Sequence, residues 1–352
     1  MITVGVIGAT GYAGSELMRL LVAHPNIQSI LCGSHSHAGS PYQSVYPNFG
    51  KIYHQQLDSA DIAQMADRCD VLFLSLPHGI SSHQLNSEIL KKCLIIDLGA
   101  DYRLKDVAVY EQWYNTSHGS AQLLNQAVYG LSELYRSDIA ASRLIANPGC
   151  YTTTAILTLH PLLYDGLIES KGIIIDAKSG VSGAGRGEKL DSLYCEVNET
   201  LKAYAVGTHR HTVEIEEQLA LSLTHGKSIK DVVLQFTPHL VPMNRGILAT
   251  VYANLQEGVG LSEIEASYKK HYGKEQFIRM LEPGVFPQTR WVKSSNYVDI
   301  GFTVDKRTNR LIACGALDNL VKGAAGQAVQ NMNIALGFAE SAGIDMIAPF
   351  PL

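Results

Sequence analysis

The chain has 352 residues, of which 46% are hydrophobic and 17% are charged, and its formal net charge at pH 7 is -5. This length accommodates two domains with separate cores, and the small negative charge gives no electrostatic argument for binding to nucleic acid or to an anionic membrane. The six cysteines are scattered without a C-x-x-C pair, and no apolar run approaches the roughly 18 residues that cross a bilayer. The first residues predict a strand and lack the basic flank of a signal peptide. We therefore expect a cytoplasmic protein without a disulfide framework, a metal site or a membrane segment.

In the first 145 or so residues, short apolar strands alternate with helical stretches. The predicted strands are Val4–Ile7, Ser29–Cys32, Val71–Leu74, Leu94–Asp97 and Leu144–Ala146. Several are almost continuous apolar runs, which are typical of parallel strands buried on both faces. Their alternation with helices predicts an α/β fold with a Rossmann-like, doubly wound parallel sheet.

The pattern changes after Cys150, where strands follow one another with fewer helices between them. The predicted strands are Ile173–Ala177, Val232–Phe236, Leu248–Ala253, Val298–Val304 and Leu311–Cys314. They indicate an α+β second domain with a mixed, largely antiparallel sheet. The stretch from Asp318 to Glu340 is rich in Ala, Gln and Asn and predicts one long helix that packs back on the first domain. We therefore expect a first domain of residues 1–147 with 316–352 and a second domain of residues 148–315.

A glycine-rich turn follows the first predicted strand and precedes a predicted helix. Its sequence is Gly8-Ala9-Thr10-Gly11-Tyr12-Ala13-Gly14. A strand, a glycine turn and a helix form the setting of a dinucleotide site, in which the pyrophosphate lies on the helix N-terminus. The spacing is G-x-x-G-x-x-G instead of G-x-G-x-x-G, and a glycine turn that binds no ligand is the alternative.

The end of the second predicted strand bears on the choice of cofactor. A site selective for NAD usually carries an Asp or Glu here to bind the ribose 2′-hydroxyl, whereas this chain has Ser34 and His35. These side chains tolerate a 2′-phosphate and favour NADP. A solvated loop is the alternative interpretation.

Cys150 follows Asn147-Pro148-Gly149 and precedes a predicted helix. The N–H groups and the dipole at a helix N-terminus favour a thiolate and lower a cysteine pKa from about 8.5 to roughly 3.5–7.5. Because the thiolate is the nucleophilic form, Cys150 is a candidate covalent catalyst. A small buried cysteine beside a turn is the alternative.

Two histidines in the segment Thr208-His209-Arg210-His211 are candidates for a general acid or base. In an extended segment, the side chains of His209 and His211 lie on the same face. A metal site also uses such a pair, but no third ligand stands out. A histidine hydrogen-bonded in the core is the alternative for either residue.

Three arginines are candidates for binding phosphate or carboxylate, which guanidinium contacts at two points. Arg103 follows a predicted strand, at the end where ligands of α/β sheets collect. Arg186 lies in a glycine-rich segment, and Arg245 lies in Pro242-Met243-Asn244-Arg245-Gly246. A surface position is the alternative for each of the three.

Five segments together carry a family resemblance. They are the glycine turn at residues 8–14, Asn-Pro-Gly-Cys-Tyr at 147–151, Ser-Gly-Val-Ser-Gly-Ala-Gly-Arg at 179–186, His-Arg-His-Thr at 209–212 and the segment 318–328. In this combination the chain resembles the N-acetyl-gamma-glutamyl-phosphate reductase family of arginine biosynthesis. The resemblance extends in order from residue 4 to the mid-330s. The aspartate-semialdehyde dehydrogenases share this plan but are less similar.

The resemblance implies a cysteine-dependent reduction of N-acetyl-glutamyl phosphate by NADPH to the semialdehyde and phosphate. It makes Cys150 the nucleophile, His211 the acid/base and His209 a supporting group. It implies that the acyl phosphate contacts Arg103.

The same resemblance assigns the cofactor contacts. The segment from Gly11 to Gly14 lies along the cofactor phosphates, Pro77 and Gly180 approach the nicotinamide half, and Asn319 holds its carboxamide.

Two positions depart from the family pattern. Relatives commonly have arginine where this chain has His35, and asparagine where it has Tyr135. The first difference implies that the 2′-phosphate is bound more weakly or by other residues as well. The second difference affects contacts near Glu133.

Two other functions compete with this one: reduction of another acyl phosphate, such as aspartyl phosphate or a carrier-linked derivative, and a catalytically silent NADP-binding regulator. Exposed apolar strands in the second domain also predict a homo-oligomer, either a dimer or a tetramer.

Overall fold

A computed structural model describes residues 1–223 and 232–351 of the chain. The chain divides into two compact units. The first unit contains Met1–Gly149 and Ala324–Asp345, and the second contains Cys150–Gly323 and Met346–Leu352. In the part of the chain that the structure describes, no helix is both long enough and apolar enough to cross a membrane.

The described residues of the first unit form one sheet of six parallel strands. The strands are β1 (Ile2–Ile7), β2 (Ile27–Gly33), β3 (Val71–Leu74), β4 (Leu94–Asp97), β5 (Ala127–Tyr129) and β6 (Leu144–Ala146). Their order is β2-β1-β3-β4-β6-β5. Every residue of β3, β4 and β6 is buried, as their apolar runs predict. The predicted Rossmann-like sheet is confirmed.

Helices connect these parallel strands. They are α1 (Tyr12–Leu21), α2 (Tyr42–Val45), α3 (Ile62–Ala66), α4 (Ser81–Gln84), α5 (Ser87–Lys92), α6 (Val107–Tyr114) and α7 (Ser132–Ala141), with short 3-10 helices at Pro47–Phe49 and Ala121–Leu123. The chain leaves β1, β2, β3 and β4 at the same edge of the sheet because these strands are parallel. The glycine turn, Ser34, Pro77 and Arg103 follow these strands and therefore lie along that edge.

The described residues of the second unit form a mixed sheet of seven strands. The strands are β7 (Lys171–Gly180), β8 (Lys202–Ala203), β9 (Val233–Val241), β10 (Ile247–Asn254), β11 (Ile278–Met280), β12 (Val298–Asp305) and β13 (Arg310–Leu317). Their order is β11-β12-β13-β10-β7-β9-β8. The pairs β7/β9 and β11/β12 are parallel, and the other neighbouring pairs are antiparallel. The predicted mixed, largely antiparallel sheet is confirmed.

Helices cover one face of this second sheet. The helices of the unit are α8 (Cys150–Tyr164), α9 (Tyr194–Val197), α10 (His211–Leu223), α11 (Leu261–Tyr272) and α12 (Thr289–Val292), with 3-10 helices at Val181–Ala184 and Leu190–Ser192. Helix α8 packs on β10 and β13, and α10 and α11 pack against α8. Alternate strand residues such as Ile173, Ile175 and Ala177 are buried beneath them, while the opposite face is half-exposed.

The predicted long helix from Asp318 to Glu340 is wrong. The carboxylate of Asp318 accepts the N–H groups of Leu320 and Val321, so the chain turns there. A π-helical turn follows at Val321–Ala325, and the regular helix α13 covers only Gly326–Ala335. Gly337 has a φ of +68°, which a continuing helix does not permit. Helix α13 packs against α1, α7 and β4 of the first unit.

Acid should destabilise the chain through His160, which lies in α8 against the rings of Tyr164 and His271. Burial lowers the pKa of His160 to about 4, and the charge of His271 acts in the same direction. An unfolded histidine titrates near about 6.5. The folded state therefore binds this proton less readily, so this contribution to stability is complete above about pH 6.5 and is lost towards about pH 4.

We expect the free energy of unfolding to fall by up to about 1.4 kcal/mol per pH unit for each such histidine across this window. Urea unfolding at pH 7, 6 and 5 measures the slope. His160→Gln should flatten it, whereas His54→Gln, at an exposed position, should not. Equal slopes for His160→Gln and the unmodified chain would contradict the prediction.

Candidate functional site

The glycine turn of the first unit packs directly against its own strand and helix. Gly8 has a φ of +81°, and a Cβ there would collide with the carbonyl oxygen of Ser75. A Cβ on Gly14 would collide with the carbonyl oxygen of Gly8. Helix α1 can therefore begin immediately beside the end of β1. The N-terminus of α1 then lies at the carboxyl ends of the parallel strands, where ligands of α/β sheets bind.

The start of α1 presents backbone donors. The N–H of Gly11 donates to Gly8 (3.1 Å), and the N–H of Ser15 makes the first bond within the helix, to Gly11 (2.8 Å). The N–H groups of Tyr12, Ala13 and Gly14 precede any carbonyl that the helix itself offers. Among the described residues no side chain caps α1. This arrangement fits the pyrophosphate of a dinucleotide.

Two tyrosines that the sequence reasoning missed hold the glycine turn. The hydroxyl of Tyr42 donates to the carbonyl of Ala9 (3.2 Å), and that of Tyr46 donates to the carbonyl of Thr10 (2.9 Å). Both come from α2 and the residue after it, about thirty residues further along the chain. No local pattern links them to the turn.

Ser34 and His35, which the sequence predicts beside a 2′-phosphate, follow β2 and differ in exposure. Ser34 is buried, and its hydroxyl lies 3.1 Å from that of Thr10, while His35 is exposed. The N–H of Ser34 donates to the carbonyl of Asp58 (3.1 Å), whose carboxylate forms an ion pair with Arg68 (3.1 Å). The sequence does not indicate Asp58 and Arg68 as neighbours of Ser34, because they lie on a separate segment of the chain.

Arg103 lies in a buried polar network after β4. It is 7% exposed, and its Nη2 donates to the carbonyl of Leu98 (2.7 Å). Nearby, burial together with the charge of Asp101 raises the pKa of Asp97 to about 7. Burial opposes ionisation of Asp101 too, but hydrogen bonds from its neighbours outweigh burial and lower its pKa.

Asp101 connects the loops that follow β3 and β4. Its carboxylate accepts the N–H of Gly79 (2.6 Å), the N–H of Ser82 (2.9 Å) and the hydroxyl of Tyr110 (2.7 Å). The loop after β3 contains Pro77, which is exposed. One buried carboxylate therefore fixes both loops. The loop after β3 is the one that the sequence predicts beside the nicotinamide, and the loop after β4 carries Arg103.

Cys150 is the first residue of α8 in the second unit and is half-buried. The hydroxyl of Thr154 donates to its carbonyl (3.1 Å), as expected one turn into the helix. A Cβ on Gly323 would lie 2.7 Å from the Cβ of Cys150, so a glycine backbone packs directly against the cysteine. The predicted position of the cysteine at a helix N-terminus is what the structure shows.

His209 and His211 lie beside the start of α8. Their ring centroids are 4.8 Å apart, and each lies 5.9 Å from the ring of Tyr151, the residue after Cys150. The segment is not extended: His211 begins α10, and its N–H donates to Nδ1 of His209 (3.1 Å). Burial, with the charge of Arg210, lowers the pKa of His209 to about 4, which keeps that ring neutral and able to accept this bond at pH 7.

Three further residues near Cys150 were missed by the sequence reasoning. The hydroxyl of Thr152 donates to Oε1 of Glu214 (2.9 Å), and both side chains are fully buried, so this bond connects the first turns of α8 and α10. The hydroxyl of Tyr204 donates to that of Tyr151 (3.3 Å). Burial raises the pKa of Tyr204 to about 12, and a negative charge on Cys150 acts in the same direction.

The remaining predicted residues of the second unit have different surroundings. Arg186 is exposed, just after the 3-10 helix Val181–Ala184. Arg245 forms an ion pair with the buried Asp318 (3.0 Å). Both ends of the Asn319 amide are engaged: it accepts the N–H of Gly246 (2.7 Å) and donates to the hydroxyl of Ser182 (3.0 Å). Gly180 ends β7 and is buried.

Tyr135 and Glu133 lie in α7 of the first unit. Tyr135 has non-helical backbone angles inside α7, and its ring contacts that of Tyr129 at 6.1 Å. Glu133 accepts a hydrogen bond from Gln330 of α13 (3.2 Å). These contacts are internal to the unit and give no account of the change from asparagine.

The first unit thus has the features of a dinucleotide-binding domain, and the second unit has a cysteine at a helix N-terminus with two adjacent histidines. Residues 3–142 match the family model described as the NAD-binding domain of semialdehyde dehydrogenases. Residues 150–319 match the model described as the semialdehyde dehydrogenase dimerisation domain. The fold and the site therefore define an oxidoreductase of the semialdehyde dehydrogenase class.

Full-length relatives narrow this class. The chain is 55% identical over 352 residues to an N-acetyl-gamma-glutamyl-phosphate reductase of Lachnospira eligens, with 100% of both chains covered. It is 51% identical over 350 residues to one of Campylobacter jejuni, with 99% of both chains covered. The chain belongs to the N-acetyl-gamma-glutamyl-phosphate reductase family.

Solved structures of lower sequence identity share the fold. Aspartate semialdehyde dehydrogenase II of Vibrio cholerae has a TM-score of 0.71 and 16% identity, covering 96% of this chain and 99% of that chain. The Candida albicans aspartate semialdehyde dehydrogenase, solved with NADP, has a TM-score of 0.67 and 16% identity, covering 96% and 99%. At this identity the likeness shows the fold alone.

Proposed function

We propose that the chain reduces N-acetyl-glutamyl 5-phosphate to N-acetyl-glutamate 5-semialdehyde and phosphate, with NADPH as reductant, in arginine biosynthesis. The observation that carries the proposal is the position of Cys150 at the first residue of α8, with His209 and His211 packed against Tyr151 beside it. A module that only binds a dinucleotide has no chemical need for this arrangement. The names of the full-length relatives support the substrate.

In the first half of the reaction, the thiolate of Cys150 attacks the acyl carbon. The carbon–oxygen bond to phosphate breaks, phosphate leaves with the bonding electrons, and a thioester remains on the cysteine. Because phosphate is a good leaving group, this step needs stabilisation of negative charge more than proton transfer. The N–H groups at the start of α8 supply it to the acyl oxygen, and we assign the phosphate to Arg103.

In the second half, the thioester is reduced and the thiolate is restored. Bound NADPH supplies the hydride for the thioester carbon. The turn Gly8–Gly14, Ser34 and His35 hold the phosphates of the cofactor in this proposal, and Pro77, Gly180 and Asn319 contribute to the nicotinamide half. His211 donates a proton to the oxygen that becomes negative and takes it back as the carbon–sulfur bond breaks; the aldehyde then leaves, and the bonding electrons return to sulfur as the thiolate. His209 accepts the N–H of His211 and so fixes the start of α10.

The release of phosphate in the absence of NADPH tests the covalent step. Mixing the chain with N-acetyl-glutamyl phosphate should release one phosphate per active chain in a burst, and mass spectrometry should find the acyl group on Cys150. Aspartyl phosphate, run in parallel, should give no burst. A burst with aspartyl phosphate alone would retain the chemistry and change the substrate, and no burst with either would favour the regulator.

The family resemblance implies an arginine at the position of His35, so we expect this chain to bind the 2′-phosphate more weakly there or through other residues as well. His35→Arg should lower the dissociation constant of NADP about threefold to tenfold, because a guanidinium adds a charge-assisted hydrogen bond at an exposed site. Affinity for NAD should not change. Calorimetric titration with both cofactors measures the ratio, and His54→Arg adds the same charge elsewhere on the first unit as a control. An equal gain for NAD and NADP would refute the prediction.

We infer that the chain forms a homo-oligomer, either a dimer or a tetramer, through the second unit. The half-exposed face of its sheet carries apolar side chains, including Ile174, Leu248, Tyr252 and Ile312. The description of the matching family model supports this inference. Light scattering during gel filtration distinguishes the two assemblies from a monomer, and a monomer at all concentrations would overturn the inference.

We also infer a cytoplasmic location, which the six free cysteines support.

A further inference from the structure

One end of the sheet in the second unit brings together three segments that are far apart in the sequence. Ile247, at the start of β10, pairs with Ser179 near the end of β7 and with Leu317 at the end of β13. The residues just beyond these positions, Gly180, Arg245 and Asp318, therefore meet at one edge. Cys150 lies against the same group of residues through Gly323.

Asp318 is the centre of this group. Its side chain is fully buried and accepts hydrogen bonds from two nitrogens of the Arg245 guanidinium: Nε donates to Oδ2 (3.0 Å) and Oδ1 (3.3 Å), and Nη2 donates to Oδ1 (3.1 Å). It also accepts three backbone N–H groups, from Ser294 (2.6 Å), Leu320 (2.8 Å) and Val321 (3.1 Å). A buried ion pair persists only with such additional bonds, because the desolvation of both charges is costly. Removing the negative charge should therefore disturb every segment that it joins.

The first segment that Asp318 fixes is the turn behind the cysteine. Its carboxylate holds the N–H groups of Leu320 and Val321, and its carbonyl accepts the N–H of Gly323 (2.9 Å). A Cβ on Gly323 would lie 2.7 Å from the Cβ of Cys150 and 3.2 Å from its Cα. Because the turn is already in close contact with the cysteine, a shift of the turn changes the space and the position available to Cys150.

The second segment is the glycine-rich stretch after β7. The N–H of Gly180 donates to the carbonyl of Gly246 (2.9 Å), and a Cβ on Gly180 would lie 2.8 Å from the backbone nitrogen of Arg245. Asn319, next to Asp318, accepts the N–H of Gly246 (2.7 Å) and donates to Ser182 (3.0 Å). The pairing of Arg245 with Asp318 therefore also sets the position of residues 180–182.

We propose that Asp318, through its ion pair with Arg245, is a positioning residue that holds Cys150 and the segment 180–182 in their reactive arrangement. This inference rests on the proposed function for its effect on turnover. In this proposal Arg245 affects the reaction by holding the Asp318 carboxylate, whereas the sequence suggested that Arg245 contacts the substrate directly. The Asp318 side chain is fully buried, so we assign it no contact with substrate or cofactor.

Asp318→Asn tests the proposal, with Asp165→Asn as the matched control. Asp165 follows the last residue of α8, about 20 Å along the helix from Cys150, and its carboxylate accepts bonds from Ser267 (2.8 Å) and Lys270 (2.6 Å). Both variants remove one negative charge that several donors share in the same unit. The readouts are the thermal midpoint, the rate of Cys150 alkylation by iodoacetamide across pH without substrate, and kcat and KM.

We expect Asp318→Asn to change the alkylation rate of Cys150 about threefold or more and to displace its pH profile, since the position of the thiol relative to the helix N-terminus controls its reactivity. The kcat should fall about 10-fold to 100-fold, as a small displacement of a reacting group does. Asp165→Asn should lower the thermal midpoint but leave the alkylation profile unchanged. A folded Asp318→Asn variant with the original alkylation profile and kcat would overturn the proposal.

If Asp318→Asn does not fold, Arg245→Lys tests the same proposal. Lysine keeps the positive charge but cannot make the two-point contact with the Asp318 carboxylate. An unchanged alkylation profile in Arg245→Lys would then overturn the proposal. The alkylation measurement uses no substrate, so it separates this inference from the proposed function. If the unmodified chain did not reduce N-acetyl-glutamyl phosphate, the proposed function would fail while the alkylation result would still stand.

Discussion

Replacing Cys150 with serine should lower reductive turnover of N-acetyl-glutamyl phosphate by on the order of 10⁴-fold or more, as the loss of a covalent nucleophile does in other enzymes. A hydroxyl at the start of α8 is not ionised at neutral pH, so neither the thioester nor the burst of phosphate should form. The measurement is NADPH consumption at saturating substrate, together with phosphate release in a single turnover.

Two comparisons isolate the role of this thiol. Cys195 is exposed, and Cys195→Ser should keep the original turnover. The affinity of Cys150→Ser for NADP should stay within about twofold of the original, because the phosphate contacts that we propose lie in the first unit. Substantial turnover by Cys150→Ser would remove the covalent mechanism.

His211→Asn should lower kcat by about 10²-fold to 10⁴-fold with a smaller change in KM, because the variant loses the proton donor and keeps a polar side chain of similar reach. The single-turnover burst of phosphate should persist, since expulsion of phosphate does not require that proton. Steady-state kinetics and the burst, measured on the same preparation, separate the two halves of the reaction.

The matched control is His54→Asn, at an exposed position in the first unit, which should behave as the original chain. The pH dependence of kcat gives a second readout, because a limb that depends on the protonation of His211 should disappear in His211→Asn. If kcat fell less than about threefold, His211 would not be the proton donor in the slow step.

Much of the fold could be predicted because the relevant signals are local. The apolar runs of β3, β4 and β6 predicted their bounds residue for residue. β5, β8 and β11 were not predicted, because none of these short strands is buried along its whole length as β6 is. The long helix at the C-terminal end was wrong because composition alone does not reveal that Asp318 caps Leu320 and Val321.

The same distinction between local and long-range signals applies to the residues of the candidate site. The glycine turn and Cys150 are recognisable because glycine geometry and a helix start are properties of a few consecutive residues. The pairing of Arg245 with Asp318 spans 73 positions, and that of Thr152 with Glu214 spans 62. Such pairs exist only once the sheet has brought distant segments together, so the sequence suggested a substrate ligand for Arg245 and nothing for Glu214.

The most direct test of the proposed function is the reverse reaction: reduction of NADP by N-acetyl-glutamate semialdehyde, followed by absorbance with and without inorganic phosphate, beside aspartate semialdehyde. We predict turnover with the acetylated aldehyde that requires phosphate, and none with aspartate semialdehyde. Turnover with aspartate semialdehyde instead, or none with either aldehyde, would contradict the proposed function.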